Sequence, residues 1–149
     1  MKNKIASVWK SILFVAAQFL TLGYLFISGP FADPFLLRAL QLAGFLLGLW
    51  AVLVMRIGHF NIAPAPLAWS KLADHGPYQF IRHPMYLALL LVTLPLILDS
   101  YSLTRGSVWL VLVMTLLFKM EYEEKLLISS LPGYSAYTGR TSKLIPGIF

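Results

Sequence analysis

The sequence predicts an all-α, polytopic membrane protein of about four transmembrane helices, the third and fourth short or kinked. Three observations lead there. Of 149 residues, 58% are hydrophobic and only 12% charged, with a mean hydropathy of +0.75. A soluble domain is nearer roughly 45–50% apolar and about 25% charged, so a soluble chain of this composition would expose apolar surface to water and aggregate. Apolar runs recur at lengths near the roughly 20 residues a helix needs to cross a hydrocarbon core of about 30 Å. Finally, the basic residues fall almost entirely on alternate connections between those runs.

The first run, Ile12–Ser28, is interrupted only by Gln18, Thr21 and Gly23. Lys2, Lys4 and Lys10 precede it, as in a signal peptide, but no small-x-small cleavage site follows, which favours an uncleaved span. Phe35–Ile57 is the second span, with Arg38 near its start. Its Gly44 and Gly48 either admit a close neighbouring helix, in this chain or a second copy, or are simply tolerated. The third run, Met85–Leu98, covers only about 21 Å at 1.5 Å per residue. It must recruit Phe80–Pro84, giving a span of about 82–99, or else re-enter, and Pro95 predicts a kink. Val108–Phe118 draws on Leu103–Ser107 for a span of about 103–120 and continues as a polar helix past Lys119. The tail is 121–149, and the chain reads as a single membrane domain, 1–149.

With four spans, Lys2, Lys4, Lys10, Arg56, Lys71, Arg82, Lys119, Lys125, Arg140 and Lys143 share one side, against Arg38 and Arg105 on the other. The positive-inside rule then puts both termini in the cytoplasm, in the inner or plasma membrane if the source is bacterial. The formal net charge of +6 reflects juxtamembrane anchoring. No basic run interleaved with aromatics suggests a nucleic-acid partner. The chain has no cysteine, which removes disulfides, thiolate metal sites and a Cys nucleophile.

Reactive residues concentrate on the cytoplasmic side. His59–Tyr86 holds all three histidines, His59, His75 and His83, stiffened by Pro64, Pro66, Pro77 and Pro84. Pro84 suits a helix first turn, and His83 and Tyr86, at i and i+3, share a face. Free N–H groups at that helix start would suit a carboxylate or phosphate; the alternative reading is that Arg82 and His83 mark the headgroup boundary. Lys119–Glu123 and Glu121–Lys125 are i, i+4 pairs of a helix surface. Alternatively, three carboxylates within four residues beside the membrane suit a cationic ligand. No zinc motif, Gly-rich phosphate loop or nucleophile elbow is present, and no metal is expected.

The stretch Gly76–Tyr86, GPYQFIRHPMY, resembles the Gly-x-Tyr-x-x-x-Arg-His-Pro-x-Tyr motif of the isoprenylcysteine carboxyl methyltransferase family. These are membrane enzymes that use S-adenosyl-L-methionine and are related to phospholipid methyltransferases. Upstream, Pro64 and Pro66 fall in the family's proline-containing loop. Downstream, Glu123–Glu124, then Gly133, Tyr134 and Tyr137, then Leu144-Ile145-Pro146 resemble its tail. The resemblance covers roughly Phe60 to Phe149. There are departures. Ser70 stands where the family has a histidine, Ala88 where it has a glycine, and Lys119 where it has an arginine, and one extra residue lies between Glu124 and Gly133. Lysine keeps the charge but not the two-pronged grip on a carboxylate.

The resemblance implies a cytoplasmic cofactor pocket built by the loop and the C-terminal helix. Glu124, with Glu123, would receive the cofactor's ammonium. His83 and amides near Pro84 would hold its carboxylate. Tyr78 and Tyr86 would offer ring faces to the sulfonium or adenine, and Leu72 and Met85 would wall the pocket. Arg82, His83 and Lys119 would be catalytic, and Lys119 and Arg140 would orient the acceptor. That acceptor would be a lipophilic or lipidated molecule entering from the membrane lipids. A carboxylate acceptor needs no general base, whereas a lipid amine would require His83 or a glutamate. Three alternatives stand: phospholipid N-methylation, an NADPH-dependent reductase resembling sterol reductases, and a non-catalytic four-span scaffold. The reductases' His-x-Asn-Tyr-x-Gly-Asp motif is replaced by His83-Pro84-Met85-Tyr86-Leu87-Ala88.

Overall fold

The computed structural model describes residues 2–29, 31–57 and 72–149, without the side chains of 2–8, 56 and 57. The expected loop features at His59, Pro64, Pro66, Ser70 and Lys71 lie outside the described residues. The all-helical expectation holds. Helix α1 is Lys2–Ile27, α2 is Phe35–Ile57, α3 is Pro84–Asp99, α4 is Leu103–Ser130 and α5 is Tyr134–Thr138, with a 3-10 turn at Gly76–Gln79. Three helices carry stretches long and apolar enough to cross a membrane: Trp9–Ile27, Phe35–Met55 and Leu103–Ser130.

The third expected span differs in extent. Arg82 and His83 are not helical. His83 is the N-cap and Pro84 opens α3, because proline suits a first turn whose N–H would be unpaired anyway. The helix runs unbroken through Pro95 to Asp99, 16 residues or about 24 Å. That is shorter than the hydrocarbon core. By contrast α4 has 28 residues, about 42 Å. It must project beyond the core at one end, and its projecting turns carry Glu121, Glu123 and Glu124. Ser102 starts it, its hydroxyl accepting from the Arg105 amide at 3.2 Å. Near its far end Gly133, at φ 84°, adopts the left-handed conformation that lets the chain turn into α5.

Two pairings organise the bundle: α2 lies along α3, and α1 along α4. The larger core joins Leu22 and Leu25 of α1, Tyr86 and Ile97 of α3, Leu112, Leu116 and Met120 of α4, and Leu144 of the tail. Between α2 and α3 the contact is close-packed small residues. A Cβ on Gly44 would lie 2.8 Å from Leu91 Cβ and 3.0 Å from the Ala88 carbonyl oxygen, and one on Gly48 would lie 3.2 Å from Ala88 Cβ. The glycine pair therefore serves a helix of the same chain. The methyl of Ala88 lands opposite Gly48, which has no side chain to oppose it.

Arg105 closes the end of the bundle remote from α5. It is 5% exposed, donates to the Leu96 carbonyl at 2.9 Å and to the Ser100 hydroxyl, and so ties the last turn of α3 to α4. Gly44→Val should push α2 off α3 and lower the unfolding temperature of the detergent-solubilised protein by several degrees. Leu42→Val, at an exposed position of the same helix, should leave it nearly unchanged.

Candidate functional site

The site forms where the projecting end of α4 meets the start of α3, the 3-10 turn and the tail. Gly76 begins that turn at φ 60°, and a Cβ there would lie 2.7 Å from Val54 Cγ2. Only glycine provides both the backbone conformation and the close approach to α2. The turn thereby sets Tyr78 against Ala51 and Val54. Next, the chain at Arg82 and His83 runs beside the tail. The Arg82 amide donates to the Ser142 carbonyl at 2.9 Å, the His83 amide to the Lys143 carbonyl at 3.0 Å, and the Ser142 amide to the Phe80 carbonyl at 3.1 Å. The amides of the corner before α3 are thus engaged by the tail.

Arg82 is the hub. Its Nε donates to Glu124 Oε1 at 2.6 Å. Its Nη1 donates to the carbonyls of Thr138 and Thr141 and to the Thr141 hydroxyl. Both side chains of the pair are over nine-tenths buried. The Glu124 carboxylate also faces His83 Nε2 at 3.4 Å and the Lys143 ammonium at 3.8 Å. Glu124 is therefore committed to protein cations.

Glu123 is placed differently. Tyr86 Oη donates to its two oxygens at 2.7 and 2.8 Å, and His83 Nδ1 lies 3.9 Å from Oε2. The His83 and Tyr86 rings stack at 5.3 Å with planes 4° apart, as their i, i+3 spacing predicts. Lys119 does not pair along its helix. Its ammonium donates to Gln18 Oε1 of α1 at 3.0 Å and lies 5.1 Å over the Tyr86 ring. Glu121 takes Lys143 of the tail.

These groups border an apolar groove of about 650 Å³ running between α1, α2 and α3. Tyr78, Arg82, His83, Pro84, Met85, Tyr86, Lys119 and Glu123 line it, so most of the sequence-derived site residues converge. Leu72 and Arg140 are not among its lining residues. Arg140 is turned outward, bonded to Asp74 at 3.1 Å and lying over the Tyr137 ring. Glu124 stands behind the lining, beneath Arg82. Among the described residues, Tyr78 Oη in the lining has no hydrogen-bond partner, and His83 Nε2 has none besides the Glu124 carboxylate 3.4 Å away. An unpartnered buried group is costly, and a ligand would relieve it.

Sequence reading missed Gln18, visible only as one of three interruptions in an apolar run. It also missed Thr138 and Thr141, which act partly through their carbonyls and so leave no side-chain signal. Burial pushes the Tyr78 hydroxyl well above its ordinary range. Burial and the nearby Glu124 charge do the same to Tyr134. Tyr137 is pushed up to about 12, chiefly by burial. All three stay protonated at neutral pH, and Tyr137 donates to the Tyr78 carbonyl at 2.5 Å.

A family model described as phospholipid methyltransferase matches residues 36–131. No curated protein matches the chain, and no solved structure does. The match agrees with the membrane-methyltransferase kinship read from the Arg-His-Pro motif.

Arg82→Ala should leave Glu124 buried without its main partner and free the tail. Breaking one side of a buried pair costs about 3–5 kcal/mol. A lower unfolding temperature and faster proteolysis after Ser130 are expected, with Arg82→Lys intermediate because one ammonium cannot span the same acceptors.

Proposed function

This chain belongs to the phospholipid methyltransferase family, and from that premise we propose that it moves a methyl group from S-adenosyl-L-methionine to the headgroup amine of a membrane phospholipid. One observation carries the reading. Glu123, Tyr86, His83 and Lys119 meet at the polar end of an otherwise apolar groove. The donor dissolves in water and the acceptor in lipid, so such a boundary is where they would meet.

The residues fit the donor's chemistry. It carries two cationic groups, a carboxylate and an adenine. Glu123 offers an anion whose lone pairs Tyr86 only partly uses, and the Tyr78 ring offers a cation-binding face worth about 0.5–2 kcal/mol. Tyr78 Oη supplies a hydroxyl that is unpartnered among the described residues. When bound, the cofactor supplies an electrophilic methyl group on a sulfonium. Glu124, held by Arg82, acts as a positioning residue that fixes His83 rather than as the ammonium receptor.

A headgroup amine is protonated in neutral water and must lose a proton before its lone pair can attack. His83 can accept it at Nε2, where Glu124 Oε1 already lies 3.4 Å away. Lys119 would hold the phosphate of the same headgroup. Apolar walls including Met85 exclude water, which strengthens these contacts and keeps the methyl group from hydrolysis. Lys119 also favours a second reading, a lipophilic carboxylate acceptor, for which no base is needed. We place the site end of the bundle, with both termini, on the cytoplasmic side.

Titration calorimetry should find S-adenosyl-L-methionine binding, weakened about ten- to a hundredfold by Glu123→Gln, the size of one lost charge-assisted hydrogen bond. Unchanged affinity would remove Glu123 from the site. Methyl-label transfer to phosphatidylethanolamine but not to a prenylcysteine analogue is expected, and the reverse outcome selects the carboxylate reading. Because the chain has no cysteine, single-cysteine variants at Ser135 and Ser102 report sidedness. An impermeant maleimide added to intact cells should label only Ser102→Cys.

A further inference from the structure

We infer that the groove between α1 and α2 is a hydrocarbon-chain subsite one leaflet deep, holding a chain of the acceptor lipid upright, with its end on a floor made by Phe26, Val92 and Thr93. The occupant's identity as a phospholipid rests on the functional reading above. The subsite itself rests on geometry.

Each of the first two helices is committed elsewhere, α1 to α4 and α2 to α3, and among the described residues they make no extended contact with each other. The space between them is therefore a slot along α3, bordered on the outside by the exposed side chains of Phe19, Phe45 and Leu49. Its lining is polarised. Gln18, Lys119, Glu123, Arg82, His83, Tyr78 and Tyr86 sit at one end, and the hydroxyl of Thr93, farther along the lining, offers nothing free. It donates to the Leu89 carbonyl at 2.7 Å and accepts from Trp109 Nε1 at 3.1 Å. An occupant with a charged head and an uninterrupted apolar tail matches this gradient. A peptide or an aqueous metabolite would leave polar groups unpaired along the apolar length.

Depth decides between a chain and a smaller apolar ligand. From His83 to Thr93 the groove follows ten residues, about 15 Å at 1.5 Å per residue. That is half of a hydrocarbon core of about 30 Å, the length of one leaflet. The floor is built rather than incidental. Phe26 packs on Phe31 with ring centroids 6.1 Å apart, and Gln41 Nε2 of α2 donates to the Val92 carbonyl at 3.2 Å. A lipid in the same leaflet can thus enter sideways without leaving its depth in the bilayer.

The test uses the full chain in phosphatidylethanolamine vesicles, with trace lipid bearing a diazirine either at the terminal carbon of an acyl chain or beside its carbonyl. Photo-crosslinks mapped by mass spectrometry should fall on Phe26, Val92 or Thr93 for the terminal probe and on Val52 or Val15 for the proximal one. Terminal crosslinks spread evenly over outward-facing positions such as Leu13 and Leu42 would overturn the subsite. In Phe26→Ala, the preference for longer over shorter acyl chains in label transfer should rise several-fold. An unchanged preference would remove Phe26 as the limit. Floor crosslinks without any methyl transfer would retain the subsite and reject the functional reading. Methyl transfer with scattered crosslinks would do the opposite.

Discussion

The buried pairing of Arg82 with Glu124 holds the site end of this protein together. A charge pair removed from water is costly unless the remaining donors and lone pairs are satisfied. Here the guanidinium meets that condition by taking two tail carbonyls and the Thr141 hydroxyl as well as the carboxylate. One side chain thus fixes three things at once: the end of α4, the course of the tail, and the non-helical corner before α3. His83 inherits its position from that arrangement, since its amide is held by the tail and its ring faces Glu123 and Glu124. The adjacent acidic residues consequently have different tasks. Glu124 is consumed by structure, and Glu123 presents its carboxylate to the groove.

The second constraint is the way α2 approaches α3. Lipid tails are as apolar as the helices, so burial alone does not drive association, and close packing of small residues must. Gly44 and Gly48 lie one turn apart on α2 with Ala88 opposite, and Ala51, a turn further on, is fully buried. Because that contact is tight, α2 stays with α3 and leaves the space beside α1 unfilled. Groove and interface are two consequences of one distribution of side-chain size.

Residues beyond the 36–131 family match complete the arrangement. Gln18 of α1 takes the Lys119 ammonium, and Thr138, Thr141, Ser142 and Lys143 bind the Arg-His corner and the acidic turn. Lysine at 119 suits this geometry. A compact ammonium can sit over the Tyr86 ring and still reach Gln18, a task for a point charge rather than for a planar fork.

Composition and the apolar runs determined the membrane setting, the helix order and both bounds of α2. These follow from local chemistry, since a run of apolar residues is helical in lipid whatever it touches. The His83–Tyr86 stack and the proline start of α3 were equally legible, because i, i+3 geometry and first-turn preferences are local. What only the tertiary structure decided was partnership. Lys119 and Glu121 looked paired along α4, yet they turn to Gln18 and Lys143. Arg140 looked directed at an acceptor and faces Asp74. The Arg82 and His83 amides are bonded to carbonyls of the tail. Each of these depends on residues distant in the chain, and in two cases on backbone carbonyls. No side-chain pattern encodes where a carbonyl will point, so folding alone sets which charge is spent on structure and which is left for a ligand.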